Sequence, residues 1–222
     1  MFPQTERSLL DVNLNDNDDR KLAENNLIIS FGNILSLKSP YTMEHSNHVK
    51  SLALELALQI GFQTDKLRSL ESAALLHDIG KIVISDYVTD KPTRLTEVES
   101  LMMKQHTLLG YRIIQPLQLD PLINNVVLYH HESYDGSGYL AGLRGNEIPL
   151  EARIVKIADY YEALVSARPY RAAYSSSQAV ELLKEERRIF DPFLFEKFLE
   201  MIDNITPTPK PNIELTCNKP TF

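Results

Sequence analysis

An adjacent histidine and aspartate, His77-Asp78, close an apolar run and are followed by Ile79-Gly80-Lys81. A neutral imidazole beside a carboxylate offers two ligands to a hard or borderline divalent metal. Lys81 sets a positive charge next to them, and Gly80 stands where a helix would stop. Alone, such a pair is most often structural. The other histidines change the balance. The chain has six (His45, His48, His77, His106, His130 and His131), and none lies in the polar ends. Each one singly reads as a partly buried, hydrogen-bonded imidazole. As a set, several fall at helix ends or beside loops, and the pairs His77-Asp78 and His130-His131 each abut a glycine-bearing stretch. That is the pattern of a site assembled from side chains on facing helices. Imidazole with carboxylate suits Fe, Mn, Zn or Ni. A single cysteine, Cys217, argues against a thiolate zinc site.

The elements that must position these groups read as helices. Leu22, Leu27, Ile28, Phe31, Ile34 and Leu35 recur at helical spacing and predict an amphipathic helix over about residues 21–37, ended by Ser39-Pro40. A second helix is predicted over 42–60, stopping at Gly61. A third starts near Thr64-Asp65 and reaches the His-Asp pair. After a loop containing Pro92, Thr96 and Glu99 form a capping-box signature for a helix over 97–115. Pro121 opens another that ends at His130-His131. Residues 132–148 hold Gly136, Gly138, Gly142 and Gly145 and read as a loop. Helices resume over 150–167, 176–187 and 192–204. No period-two run predicts a strand. The expected architecture is all-α, a compact bundle of seven or eight helices. It occupies 21–205, between a flexible N-terminal tail over 1–20 and a Pro-rich C-terminal tail over 206–222.

At 222 residues the chain can bury one sizeable core. Its net charge of −7 argues against binding a nucleic-acid polymer or an anionic membrane. It does not exclude a small phosphorylated substrate, because bound cations would invert the local potential. With one cysteine there is no disulfide framework, which fits a reducing compartment. No secretory signal is visible in the first twenty residues, and the apolar stretch over 27–37 is too short to span a bilayer. The expectation is a cytoplasmic protein without membrane insertion.

The ordered set Tyr41-Thr42-Met43-Glu44-His45, His77-Asp78-Ile79-Gly80-Lys81, His106, His130-His131-Glu132-Ser133-Tyr134-Asp135-Gly136-Ser137-Gly138-Tyr139, Arg153-Ile154, Asp159 and Arg168-Pro169-Tyr170-Arg171 resembles the HD-GYP subclass of the HD metal-dependent phosphohydrolases, over about residues 25–205. The resemblance implies hydrolysis of cyclic di-GMP to the linear dinucleotide pGpG, and in some members on to GMP. It implies two divalent metal ions, Fe or Mn first, with Zn or Ni as alternatives. His45, His77, Asp78 and Asp159 match one metal site; His106, His130 and His131 match a second, with Asp78 bridging. Two such metals supply an activated hydroxide and bind phosphate oxygens. Lys81 would stabilise developing charge or assist the leaving oxygen. Arg168 and Arg171 would clamp phosphate, while Gly138 and Tyr139 would lie against the substrate. The segment with Lys91, Pro92, Arg94, Leu95 and Thr96 resembles a basic loop of the family, over the pocket or merely exposed. His48 matches no ligand position.

Two departures stand out. Some members hold a third metal with a glutamate four residues before the first histidine; here that residue is Tyr41. Leu140 replaces the proline of the signature, which would have fixed the backbone after Tyr139. The alternatives are hydrolysis of another cyclic dinucleotide or phosphoester, and a non-catalytic binding or adaptor module on the same fold. A homodimer through the first helix is expected from its unmatched apolar face. The resemblance also implies a diguanylate cyclase or other regulatory partner.

Overall fold

The computed structural model describes residues 17–167 and 172–205. Among them there is no strand. The chain forms α1 (Asn17–Lys38), α2 (Pro40–Gln59), α3 (Leu67–Leu76), α4 (Asp86–Thr89), α5 (Glu97–Lys104), α6 (His106–Ile114), α7 (Pro121–Tyr129), α8 (Leu150–Val165), α9 (Ser176–Glu185) and α10 (Pro192–Ile205). Residues 206–222, expected as a loose tail, lie outside the described residues, as do 1–16. Residues 17–20, expected in the N-terminal tail, belong to α1 instead.

Helix starts follow local chemistry. Ser39 Oγ accepts the Thr42 N–H at 3.2 Å while Pro40 occupies the first turn of α2. Thr96 and Glu99 close a reciprocal capping box on α5. Asp120 Oδ1 takes the Leu122 N–H at 3.0 Å ahead of Pro121 on α7. The helix expected over 97–115 is two helices. The Gln105 N–H turns back to Met102 and Met103 carbonyls, α5 stops at Lys104, and α6 starts afresh at His106. The single turn of α4 also interrupts the loop expected before Thr96.

Helix α2 is central and packs against α1, α3, α8 and α10. Its buried stripe of Val49, Ala53, Leu56 and Ala57 meets Ala73, Ala74 and Leu70 of α3 and Ile154, Val155 and Ala158 of α8. Alanines on both faces let the helix axes come close, and Phe198 and Ile202 of α10 seal the far side. Helix α1 finds part of its partner inside the domain: Leu35 is fully buried against the core, while Leu22, Ile29 and Leu37 stay exposed.

Gly80 does more than end a helix. It sits in a 3₁₀ segment, Ile79–Val83, packed on α6. A Cβ at Gly80 would overlap the His106 carbonyl oxygen and stand 2.5 Å from the Gly110 nitrogen. Glycine is required there because two backbones touch. This contact presses the residues after α3 directly onto the start of α6.

Candidate metal centre

Five elements deliver side chains to one point. His45 projects from the second turn of α2. His77 and Asp78 follow the last residue of α3. His106 opens α6, His130 and His131 follow α7, and Asp159 lies midway along α8. Their ligand atoms fall into two groups, each within 4.8 Å: Asp78, His106, His130 and His131, and His45, His77 and Asp159. Asp78 stands between them. Its Oδ1 is 3.2 Å from His106 Nε2, and its Oδ2 is 3.4 Å from His77 Nε2 and 3.9 Å from His45 Nε2.

The helix ends fix the imidazoles. Nδ1–H of His77 donates to the Ala74 carbonyl at 2.7 Å, that of His106 to Met103 at 2.8 Å, and that of His130 to Val126 at 2.9 Å. A ring that donates through Nδ1 presents a bare Nε2 lone pair. His106 Nε2 and His130 Nε2 then face one another at 3.3 Å, two acceptors with no proton between them. His77 Nε2 and Asp78 Oδ1 are buried without a hydrogen-bond partner among the described residues. Lone pairs converging in a buried space are satisfied by a cation, so the donor set fits a divalent metal.

The electrostatics agree. Burial, reinforced by the neighbouring His77 and His106, pushes His130 well below the ordinary histidine range; burial with His130 and His106 does the same to His131. His106 is also lowered, chiefly by burial. These rings are neutral, as ligands must be. Asp78 is buried, which opposes its charge, yet Lys81 first of all, with His45 adding to it, holds it well below the usual carboxylate range. Lys81 Nζ lies 2.5 Å from Asp78 Oδ2. His45 differs. Burial lowers it, but hydrogen bonds to Asp159 and Glu162 and the charges of Asp159 and Asp78 outweigh that and raise it to about 9.

Glu162 escapes a reading by residue type. It is buried, hydrogen-bonds His45 Nδ1 and the Ser166 hydroxyl, and lies 3.3 Å from His48 Nδ1. It thus holds the His45 ring with Nε2 turned to Asp159, 3.1 Å away. The signal was present: Glu162 follows Asp159 by three residues and shares its helical face. His48 is half exposed and reaches the cluster only through Glu162.

Outside the cluster a cavity of about 620 Å³ opens, lined by His45, Asp78, Lys81, His106, His131 and Asp159 on its floor and by Tyr41, Lys91, Arg94, Tyr139 and Lys156 around them. Tyr139 stacks on His131, ring centroids 4.8 Å apart, with Lys104 Nζ 5.1 Å from its own centroid. Its hydroxyl is pushed upward by burial and by Asp78 and Asp159, so it stays protonated. Gly138, expected against a ligand, does not line this cavity. It is glycine because a Cβ would stand 2.5 Å from Glu132 Cα, where the loop folds back on itself. Glu132, fully buried, fastens the same loop by accepting the N–H groups of Ala141, Gly142 and Leu143 at 2.6, 3.1 and 3.1 Å. Lys91 is committed to Glu99 at 2.6 Å. Arg168 and Arg171 lie outside the described residues.

Residues 30–194 match a family model described as HD domain. The chain is 46% identical over 156 residues to the cyclic di-GMP phosphodiesterase response regulator RpfG of Xanthomonas campestris, covering 68% of this chain and 40% of that protein. It is 37% identical over 181 residues to a cyclic di-GMP phosphodiesterase of Thermotoga maritima, covering 78% and 49%. With the 3'3'-cGAMP-specific phosphodiesterase 3 of Vibrio cholerae it shares 36% over 170 residues, covering 76% and 37%. The chain therefore spans less than half the length of these relatives. Among solved structures, an HDG"Y"P protein from Bdellovibrio bacteriovorus shares the fold with a TM-score of 0.61 at 21% identity, over 73% of this chain and 51% of that one. The HD domain of L. monocytogenes phosphodiesterase PgpH, solved with cyclic-di-AMP, does so with a TM-score of 0.57 at 19% identity, over 82% and 99%.

Proposed function

The chain belongs to the HD domain family, and on that premise we propose that it hydrolyses a phosphodiester bond of a cyclic dinucleotide, cyclic di-GMP first, to the linear dinucleotide. The observation that carries this reading is the convergence of bare Nε2 lone pairs on a shared, ionised Asp78 at the floor of an open cavity. His45, His77 and Asp159 would hold one divalent ion and His106, His130 and His131 a second, with Asp78 between them. Bound metals supply a water made acidic enough to attack at neutral pH and charge to meet the phosphate oxygens.

The protein's own groups do the rest. Helix-end carbonyls keep the imidazoles in the ligating tautomer. Glu162 orients His45. Lys81, bonded to Asp78 and lining the cavity, would stabilise charge developing on the leaving oxygen. Tyr139, held protonated and stacked on His131, offers a hydroxyl donor and an aromatic face at the cavity wall. Arg168 and Arg171 remain proposed phosphate contacts on sequence grounds. With tyrosine at position 41, two metals rather than three are proposed, Mn or Fe before Zn or Ni.

The test is hydrolysis of cyclic di-GMP, cyclic GMP-AMP and cyclic di-AMP by protein reconstituted anaerobically with Mn or Fe(II), with metal measured on the same sample. Turnover of a cyclic dinucleotide with about two metals per chain supports the reading. Full metal loading without turnover of any of them sinks it. Among the described residues no helix is long and apolar enough to cross a membrane. A cytoplasmic setting, self-association through the exposed residues of α1 and a regulatory or diguanylate cyclase partner complete the proposal. A one-chain mass in gel filtration removes the self-association, and absence of co-purification with a diguanylate cyclase removes that partner.

A further inference from the structure

Lys156 lies on α8 one turn before Asp159 and lines the cavity above the histidine–aspartate cluster. It is half buried and lines the cavity together with Tyr139 and Tyr160. Among the described residues no carboxylate comes within 4.0 Å of its ammonium group. Burial holds its ammonium below the ordinary lysine range, and three carboxylates, Asp159, Glu132 and Asp135, act through space in the opposite sense without outweighing it. Each of the three is already engaged: Asp159 with His45 at 3.1 Å, Glu132 with three backbone N–H groups, and Asp135 with the N–H and hydroxyl of Ser137 at 2.9 and 2.6 Å.

The other lysines on this wall are spent differently. Lys81 is bonded to Asp78, and Lys91 to Glu99. Arg94 is exposed at the rim. Lys156 is thus a lysine inside the cavity with no ion-pair partner among the described residues. A cation without a partner in a half-buried place is matched by an anion brought from outside. One anionic group of the substrate belongs over the cluster that Asp78 centres. A cyclic dinucleotide carries a second phosphodiester on the opposite side of its ring, and that group has no partner on the cluster.

We propose that Lys156 binds this second, uncleaved phosphate, and so selects cyclic dinucleotides over substrates with a single phosphodiester. The inference rests on the proposed phosphodiesterase function. Lys156 is a binding residue, remote from the bond that breaks, and its contribution appears in KM rather than in kcat. It reads charge and not base, so it acts alike on cyclic di-GMP, cyclic GMP-AMP and cyclic di-AMP.

The experiment compares wild-type, Lys156→Met and Lys156→Arg holoprotein on those three cyclic dinucleotides and on bis(p-nitrophenyl) phosphate, which has one phosphodiester. Metal content and the salt dependence of KM are measured alongside. For Lys156→Met the expected result is a roughly 10- to 100-fold rise in KM on every cyclic dinucleotide that the wild type turns over. The salt dependence should become shallower, metal content should be retained, and the loss on bis(p-nitrophenyl) phosphate should be much smaller. Lys156→Arg keeps the positive charge and should recover most of the affinity; it also covers the case in which the methionine variant does not fold. Equal losses on both substrate types, a loss confined to guanine-containing substrates, loss of metal, or no recovery with arginine overturns the assignment. A wild type that turns over bis(p-nitrophenyl) phosphate but no cyclic dinucleotide defeats the functional reading itself, and the assignment with it. That failure is seen in the wild type alone, whereas failure of the Lys156 role is seen only between variants.

Discussion

The floor of the cavity and its rim are built on different principles. On the floor, His77, His106 and His130 sit at helix ends and are held by carbonyls three or four residues earlier, in the last turns of α3, α5 and α7, and all are buried. Little there depends on anything distant except the Gly80–Gly110 contact and Glu162. On the rim, Tyr139 rides on a glycine-bearing loop secured by one carboxylate, Glu132, and the segment around Lys91 is held by Glu99 and the α5 cap. The floor is suited to fixed chemistry. The rim, half exposed and pinned by single residues, is where substrate choice can change without disturbing the centre.

The sharpest way to break that contrast is Asp78→Ala. It removes the carboxylate that stands between the two donor groups, and on the proposed function hydrolysis should fall by about 1,000-fold or more, with bound metal lost or weakened. Retained turnover would falsify the shared-carboxylate arrangement. Next comes Glu162→Gln, which leaves every proposed ligand in place but frees the His45 ring; metal affinity should drop about 10- to 100-fold by titration.

The same variant has a pH signature in metal-free protein. His45 is raised from 6.5 to about 9, so the stabilisation it confers is complete below pH 6.5 and disappears as pH rises through 9. Melting temperature of the wild type should fall between pH 7 and 10, and Glu162→Gln should flatten that fall. An identical profile in both proteins would mean that Glu162 does not set the proton on His45.

On the rim, Glu132→Gln should lower kcat/KM on a cyclic dinucleotide about tenfold while metal content stays at the wild-type level, since one of several loop hydrogen bonds is weakened. Metal loss would erase the distinction between floor and rim. The smallest effect belongs to Thr96→Ala, which removes the α5 cap. It should cost about 1 kcal/mol in denaturant unfolding and leave turnover within about twofold.

How far this division was legible in the sequence depends on what kind of residue carries it. The floor was legible because histidine beside aspartate is chemically conspicuous, and the resemblance to HD-GYP proteins added Asp159. The helical bundle was legible from apolar spacing and from caps such as Thr96 and Glu99. The break at Gln105 was not, because neither glycine nor proline marks it; backbone closing of α5 and the fresh start at His106 decide it. Gly80 was visible only as a stop, since composition cannot distinguish a turn from a place where two backbones meet. Glu132, Lys156 and Glu162 were passed over for one reason: a charged side chain on or beside a helix is ordinarily solvated, and only packing reveals that these three are not.

The contact of Gly80 with α6 also makes the centre a clasp. His45, Asp78, His106, His130 and Asp159 come from segments spread over more than half of the chain, and bringing them together leaves like-disposed lone pairs facing each other. A cation between them closes several long loops at once, in the manner of a cross-link. Occupancy of the centre and closure of the seam between residues 79–83 and 106–110 are therefore linked, each favouring the other. Amide exchange along that seam should slow when metal is added and quicken when it is chelated, while exchange in the α2–α8 core stays unchanged. The protein would then carry, in its backbone protection pattern, a readout of its own metal state that needs no substrate.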